Sequence, residues 1–494
     1  MAQPIRQKLE MTDLVLINPG VNKNAQGLHE ANIWPPLGIM TIAAVLEKHG
    51  FCPILIDANL EKINPDEIIR RIPEKVKIIG ISVNSFTYGF TQELCASIKK
   101  RFPASMIVMG GPLASSSPAT VLNNFACDVA IQGEGEFSFL TLTKNVCSDG
   151  FPFHNVSGAH WIDHVTGSIE KNPVERIVNI DDLPFPAYHL IPALSKYKSR
   201  SRKRPIAPLL TSRGCSFGCS FCSKDVFQRK VSFHSPAYVL AEIEYLVRTF
   251  GVRQIDIIDD NFAFDKERME LILDGLIMKK YNLLVHLSVG IRAEGLDQNI
   301  FRKMRRAGVF KISFGIESAD ETVLRLCNKN LRLANIERAV TMAKKEKILV
   351  HGFFIIGLPG ETESAFRKTM AFAKRVNFDI ANFALAIPFP NTELYRQVER
   401  SGRFLIDTRL GLAIGYFSGS VFFEYPGLTK ADVSSRYERA YKIFYSPWKI
   451  ATQALKIRSF SELQWFIGSA LTVVKNLVGK GAAQGGLTNH GKSV

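Results

Sequence analysis

The sequence predicts an α/β protein in three parts: a doubly wound parallel sheet, a partial (β/α)6 TIM-type barrel and a mostly helical C-terminal region. Three observations predict it. Short apolar runs alternate with amphipathic stretches before about residue 150 and again after about residue 205; a Pro-rich, basic segment separates the two series; and beyond residue 405 the apolar period becomes helical. At 494 residues the chain exceeds what one ordinary hydrophobic core spans. The expected divisions are 1–150, a connector over 151–205, the barrel over 206–405, a helical region over 406–480 and a disordered tail over 481–494.

In the first part, "DLVLIN" (13–18), "PILID" (53–57), "KIIGIS" (77–82), "SMIVMGG" (105–111) and "DVAIQG" (128–133) read as strands buried on both faces. Helical stretches such as "PLGIMTIAAVLEKHG" lie between them, with Gly50 as a stop. Each strand ends in small or turn-forming residues, and open α/β sheets bind ligands at those carboxyl ends. Residues 151–180 look irregular or hairpin-like, and "DDLPFPAYHLIP" begins the connector proper. The second series supplies six strands: "APLLTS" (207–212), "QIDIID" (254–259), "LVHLSV" (284–289), "VFKISFGI" (309–316), "VHGFFIIG" (350–357) and "IANFALAIP" (380–388). Six β/α units in this length suit a partial barrel rather than eight-fold closure. Near the C-terminus, Leu463, Phe466, Ile467, Ala470, Leu471, Val474, Leu477 and Val478 share one helical stripe, expected to pack on the barrel or to lie in a membrane interface.

The start, "MAQPIRQKLEMTD", lacks the apolar stretch of a secretory signal, and no uninterrupted apolar run of about 18 residues reads as a spanning helix. The expected location is the cytoplasm, with a peripheral position at the inner membrane face left open by the apolar stripe. The formal charge of +16 implies an anionic partner. Part of it sits in the connector at Lys196, Lys198, Arg200, Arg202, Lys203 and Arg204, which read equally as a solvated linker. Without aromatic interleaving or a nucleic-acid module, polynucleotide binding is not expected.

Cys215, Cys219 and Cys222 form CxxxCxxC directly after the first barrel strand, in "TSRGCSFGCSFCSKD". A tetrahedral zinc site would want a fourth ligand, and the nearby candidate, His234, has no partner at zinc-ribbon spacing. An iron-sulfur cluster fits better: thiolates suit its irons, and three ligands leave one iron open to bind a substrate atom. Gly214 and Gly218 permit the turns that aim three thiols inward. The remaining cysteines, Cys52, Cys95, Cys127, Cys147 and Cys327, read as buried or incidental thiols.

This spacing, with Phe221 just before the third cysteine, resembles the signature of the radical S-adenosylmethionine (radical SAM) superfamily. The resemblance implies a 4Fe-4S cluster held by Cys215, Cys219 and Cys222, whose open iron binds the amino and carboxylate groups of S-adenosylmethionine. One electron then releases a 5′-deoxyadenosyl radical, and Phe221 packs near adenine. A flavodoxin- or ferredoxin-type reductant is implied as the electron source. Further motifs fall at successive strand ends: "IDDNF", "SVGIRAE", "SFGIES", "GLPGET" and "PFPNT". By the same resemblance, Ser288, Arg292, Glu317 and Ser318 hold the ribose or methionine part of the cofactor. Gly357, Gly360 and Glu361 approach adenine through the backbone, and Asp259 and Asp260 take the amino group or a substrate proton. Taken singly, each of these also reads as a turn or cap.

The doubly wound part resembles the Rossmann-like cobalamin-binding domain found in one large branch of that superfamily. "NPG", "PPLG", "GGP", "GEGE", the cysteine triplet and "GLPGET" follow that branch's order. The resemblance places Gly110, Gly111, Pro112, Gly133, Glu134 and Gly135 against a corrin ring, which needs backbone without bulky side chains. A generic nucleotide site is the rival, but no GxGxxG follows the first strand. Many cobalamin domains supply a cobalt-ligating histidine from DxHxxG. Here the place reads "NPGVNKNAQGLHE", and His29 is outside that pattern, so cobalamin without a protein imidazole below cobalt is expected.

The function these resemblances imply is a cobalamin-dependent radical SAM enzyme that transfers methyl to an unactivated carbon. Its substrate would be a small molecule or lipid-like compound. A non-methylating radical cyclase or ring-rearranging enzyme of a tetrapyrrole, hopanoid or other secondary-metabolite pathway is the alternative. A cobalamin and cluster sensor without turnover, or a tRNA methylthiolating enzyme, ranks behind both.

Overall fold

The computed structural model describes residues 13–21, 33–148, 151–197, 201–406 and 420–455, with the single positions 457, 460 and 463. The expectations for His29, Lys198, Arg200, most of the 463–478 stripe and the 481–494 tail lie outside the described residues. Among the described residues, no helix is long and apolar enough to cross a membrane.

The first sheet contains β1 (Leu14–Asn18), β2 (Ile54–Asp57), β3 (Ile78–Ser82), β4 (Met106–Gly110) and β5 (Val129–Ile131), parallel and ordered β2-β1-β3-β4-β5. Because side chains alternate along a strand, each apolar run serves two cores. Leu14 and Leu16 face Val45, Leu46 and Phe139 from helices α1 (Leu37–Lys48) and α3 (Glu136–Cys147). Val15 and Ile17 face Leu94, Cys95 and Ile98 from α2 (Tyr88–Arg101) on the other side. The sheet is therefore doubly wound, and its order reverses between β1 and β3, the switch point at which such sheets bind ligands.

The hairpin-like stretch does not belong to the connector. Its strands β6 (Ala159–Ile162) and β7 (Ile169–Lys171) continue the sheet antiparallel, Ala130 pairing with His160, so the sheet runs to Lys171, past the break expected near 150. The physical reason is the three-residue β5, whose outer edge would otherwise present unpaired backbone groups.

The second sheet is parallel and ordered β15-β14-β13-β12-β11-β8, an open six-stranded partial barrel. Its strands are β8 (Ile206–Leu209), β11 (Gln254–Ile257), β12 (Leu284–Ile291), β13 (Val309–Glu317), β14 (Leu349–Ile356) and β15 (Ile380–Leu385). The run expected as one strand, 207–212, breaks after Leu209; Ser212–Arg213 forms β9, paired antiparallel with β10 (Ser232–Phe233).

Helix α4 (Pro236–Phe250), which follows β10, starts on the Ser235 cap with proline at its first position and stops at Gly251. Helix α5 (Lys266–Lys279) packs beside it. Helix α6 (Glu363–Val376) buries Phe366, Met370 and Phe372 against the barrel. The aromatic-rich helix α7 (Lys430–Phe444) covers the free edge of the second sheet: the Tyr441 hydroxyl donates to the Phe383 carbonyl at 3.0 Å and the Tyr445 hydroxyl to the Ala381 carbonyl at 2.8 Å. This accounts for Tyr441 and Tyr445, since an uncovered edge strand is a liability.

Candidate functional site

The cysteine loop hangs from the β9–β10 pair. Gly214 has φ of +86°, and a β-carbon there would stand 2.1 Å from the Lys230 carbonyl oxygen, so the chain turns only on glycine. The loop is stapled beyond the turn. Ser220 N–H donates to the Cys327 carbonyl, Asn328 Nδ2 to the Gly218 carbonyl, and Leu394 N–H to the Ser220 carbonyl, each at 2.9 Å. Cys215 is buried, Cys219 and Cys222 are half-buried, and all three are free thiols. Burial pushes the Cys222 thiol up while the Lys224 ammonium opposes it. Burial disfavours that ammonium in turn, yet the thiols of Cys222 and Cys215 outweigh it and hold Lys224 above an ordinary lysine. Lys224 is a site residue that the sequence reading missed; its only signal was a cation two positions after the last cysteine.

Among the described residues no three His, Cys, Asp or Glu side chains close around a single ion. His234, the zinc candidate, is engaged elsewhere, its Nδ1 2.9 Å from Asp181 Oδ1 and its ring stacked on Tyr238. Three thiols on one braced loop with a compensating cation fit a cubane, which takes one thiolate at each of three irons. Cys327, whose carbonyl braces the loop, is buried and pushed up to about 12, an inert thiol; Cys95 is likewise buried, while Cys52 is exposed and Cys127 and Cys147 are half-buried.

The strand ends divide into two groups. The first faces the cysteine loop. Glu317, in a left-handed backbone conformation, pairs with Lys329 at 2.9 Å, and the Lys329 ammonium lies 6.0 Å from the centre of the Phe221 ring. The Arg292 guanidinium sits 3.9 Å from the centre of Phe217, and Asp260 is exposed beside Lys224. Ser288 of β12 is half-buried, and its hydroxyl donates to the Ile257 carbonyl of β11 at 2.9 Å, a bond between strands rather than to the loop.

The second group has its side chains turned inward. Asp259 is buried and accepts from Thr211 N–H at 2.6 Å, the Thr211 hydroxyl at 2.5 Å and the Ser212 hydroxyl at 2.7 Å. It therefore ties β11 to the break between β8 and β9 rather than reaching a cofactor amine, and burial holds its carboxyl above the usual range. The Ser318 hydroxyl meets the Thr369 hydroxyl of α6 at 3.3 Å, so it positions the turn after β13. Glu361 closes its own turn: it accepts from Gly357 N–H at 3.2 Å and from Arg436 of α7 at 3.2 Å, with burial raising its carboxyl to about 7 despite that arginine. Gly357 packs on Val433 and Gly360 on Leu326, so this turn is fastened to the barrel's helices on those faces. All three inward carboxylates and hydroxyls are polar groups that burial obliges to pair, which strand-end position alone does not reveal.

At the mouth of the first sheet lies a cavity of about 370 Å3. Leu16, Gly80, Val108 and Ile131 of the sheet, Ile42 of α1 and Phe139 of α3 form its apolar floor. A β-carbon at Gly80 would stand 2.7 Å from both Leu16 and Phe139, so glycine keeps this floor open. Gly110, Gly111, Pro112, Gly133 and Gly135 line it. The opposite wall comes from the second half of the chain: Arg213, Val226, Phe227, Tyr238 and Glu242. Deep apolar walls with glycine backbone at the rim fit a large flat ring and its substituents. Glu134 also lines the cavity, but its carboxylate is committed: Arg176 Nε lies 2.6 Å from one oxygen and Arg213 Nη1 2.7 Å from the other. Glu136 holds the same arginine at 2.6 Å. The glutamates of "GEGE" thus clamp the two halves together.

Residues 209–373 match the family model described as the Radical SAM superfamily, and residues 27–142 the one described as the B12 binding domain. An uncharacterized methyltransferase of Pyrococcus horikoshii is 30% identical over 366 residues, 73% of this chain and 78% of the relative. An anaerobic magnesium-protoporphyrin IX monomethyl ester cyclase of Rubrivivax gelatinosus is 25% identical over 390 residues, 78% of this chain and 70% of the relative. The structure of the radical S-adenosylmethionine methyltransferase TsrM from Kitasatospora setae, with cobalamin and a 4Fe-4S cluster bound, has the same fold. It superposes with a TM-score of 0.70 over 95% of this chain and 99% of that one, at 15% identity.

Proposed function

The chain belongs to the radical SAM superfamily, in the branch with an N-terminal B12-binding domain, and on that premise we propose that it is an enzyme replacing hydrogen by methyl at an unactivated carbon of a small molecule. The cofactors are cobalamin, a 4Fe-4S cluster and S-adenosylmethionine; when bound, they supply a methyl carrier and reductive cleavage of the sulfonium. Cys215, Cys219 and Cys222 would hold the cluster, and Phe221, Glu317 and Arg292 would flank S-adenosylmethionine. The observation that carries the reading is Arg213: it lines the cavity of the first sheet and stands two residues before Cys215, so one rigid segment sets the two cofactor sites against each other. Such alignment by proximity is what the protein contributes to this chemistry.

The free thiols of Cys215, Cys219, Cys222 and Cys327 support a reducing compartment such as the cytoplasm. The charge of +16 supports an acidic flavodoxin- or ferredoxin-type protein as the one-electron donor.

The cyclase relative favours one second reading, non-methylating radical chemistry on a ring system. Anaerobically reconstituted protein, supplied with cobalamin, strong reductant, acceptor extract and methyl-labelled S-adenosylmethionine, separates the two. Label passing into bound corrinoid and then into product is the expected result. Formation of 5′-deoxyadenosine with no transfer of label would replace methyl transfer by the second reading.

A further inference from the structure

Glu242 lies on α4 and lines the cavity at the mouth of the first sheet, 5% exposed, with no hydrogen-bond or ion-pair partner among the described residues. Its neighbours do not satisfy it. Tyr188 donates its hydroxyl to the Pro208 carbonyl at 3.2 Å, and Tyr238, one turn earlier on α4, stacks on His234. Neither cation nearby pairs with it: Arg213 is held by Glu134 and Glu136, and Arg268 by the carbonyls of His234 and Thr211 at 2.7 and 2.6 Å. An ionised, unpaired carboxylate in such a place is costly, and burial pushes Glu242 up to about 8. At neutral pH it is then chiefly a neutral carboxyl, able both to donate and to accept, facing a chamber whose walls are mostly apolar. A buried polar group left over by the protein's own network points to a ligand.

We propose that Glu242 is a cobalamin-binding residue, its carboxyl group hydrogen-bonding a neutral amide or hydroxyl on the cofactor's periphery from the barrel side of the cavity. The proposal rests on reading this cavity as the cobalamin site, and it adds a contact contributed by the barrel half rather than by the B12-binding domain. Corrinoids carry a rim of neutral amides, which match a neutral carboxyl and not a charged one. The test is anaerobic equilibrium titration of the cobalamin-free full-length protein with hydroxocobalamin, read by absorbance, for the wild type, Glu242→Gln and Glu242→Leu. The glutamine variant, which keeps a donor and an acceptor, is expected to bind within about threefold of wild type, and the leucine variant about tenfold more weakly. Iron content and melting temperature monitor the fold, with Glu242→Met as a second apolar variant where leucine fails to fold. Wild-type binding together with undiminished binding by a folded apolar variant overturns the proposal alone. Failure of the wild type to bind overturns the cavity reading and the proposal with it.

Discussion

Arg213 reaches from the strand before the cysteine loop into the first sheet's rim, its two Nη atoms 2.7 Å from Glu134 Oε1 and 2.6 Å from Glu136 Oε1. All three side chains are almost fully buried. Glu134 also accepts from Arg176, and the Arg176 guanidinium lies over Phe227 at the far end of the same loop. The loop expected to carry the cluster is thus fastened at both ends to the domain expected to carry cobalamin. Breaking one partner of a buried pair strands the others, so Arg213→Met is expected to cost about 3–5 kcal/mol of stability. Thermal unfolding measures the loss, and cobalamin and iron content should fall together in the surviving folded fraction. Loss of only one of them would show that the clamp does not couple the two sites.

The four sulfurs near the loop are predicted to separate cleanly. Alanine at Cys215, Cys219 or Cys222 should abolish the iron-sulfur absorbance of reconstituted protein while leaving cobalamin binding in place. Cys327→Ala should retain its iron, because that thiol is buried and protonated and supports the loop through its carbonyl. The check is iron and sulfide analysis beside the visible spectrum; iron loss in the Cys327 variant alone would reassign the ligand set.

Adjacent residues of "GIES" face opposite ways. Glu317 pairs with Lys329 beside Phe221, whereas Ser318 meets Thr369. Glu317→Gln is therefore expected to weaken S-adenosylmethionine binding about tenfold in equilibrium dialysis, and Ser318→Ala to leave it within about twofold, with a modest loss of melting temperature instead. Equal losses from both would place the cofactor against a different surface.

The buried carboxyl of Glu242 has a consequence for stability against pH. Its folded pKa of about 8 lies above the ordinary 4.5, so the folded state binds the proton more tightly than the unfolded chain. Its contribution is fully present below about 4.5 and is lost as pH rises toward about 8, a decline of up to a few kcal/mol. The groups around it do not mask this. Tyr188 and Tyr238 are held above the ordinary tyrosine range by burial, and Arg213, Glu134 and Glu136 remain mutually paired. Burial lowers His234 to about 4, so it titrates at the acid edge of the window. Denaturant unfolding of the cofactor-free wild type and Glu242→Gln across this range should show the two curves diverging as pH rises, the wild type falling.

The order of elements was legible because apolar period is local: "LVLIN" alternates between two cores whatever its partners, and six runs at β/α spacing read as six parallel strands. The cysteine triplet was legible for a similar reason, since its spacing alone brings three thiols onto one turn, and the glycine that makes the turn stands beside them. Strand-end position also singled out Glu317, which lies beside the loop, and Gly110, Gly111 and Gly133, which line the cavity. What it could not distinguish was Glu317 from Ser318, or Asp260 from Asp259, because one step along a strand reverses the face and only the packed neighbours say which face holds the ligand.

Partnership across the two halves belonged wholly to the tertiary structure. Glu134 and Glu136 sit 79 and 77 residues from Arg213, and nothing in either motif names the other. The chain by itself determined which elements form and which chemistry its thiols suit, since both follow from short-range pattern. Only folding decided which polar groups spend themselves on each other and which, like Glu242, are left facing the cavity, because burial makes pairing compulsory and the available partners are set by long-range contact.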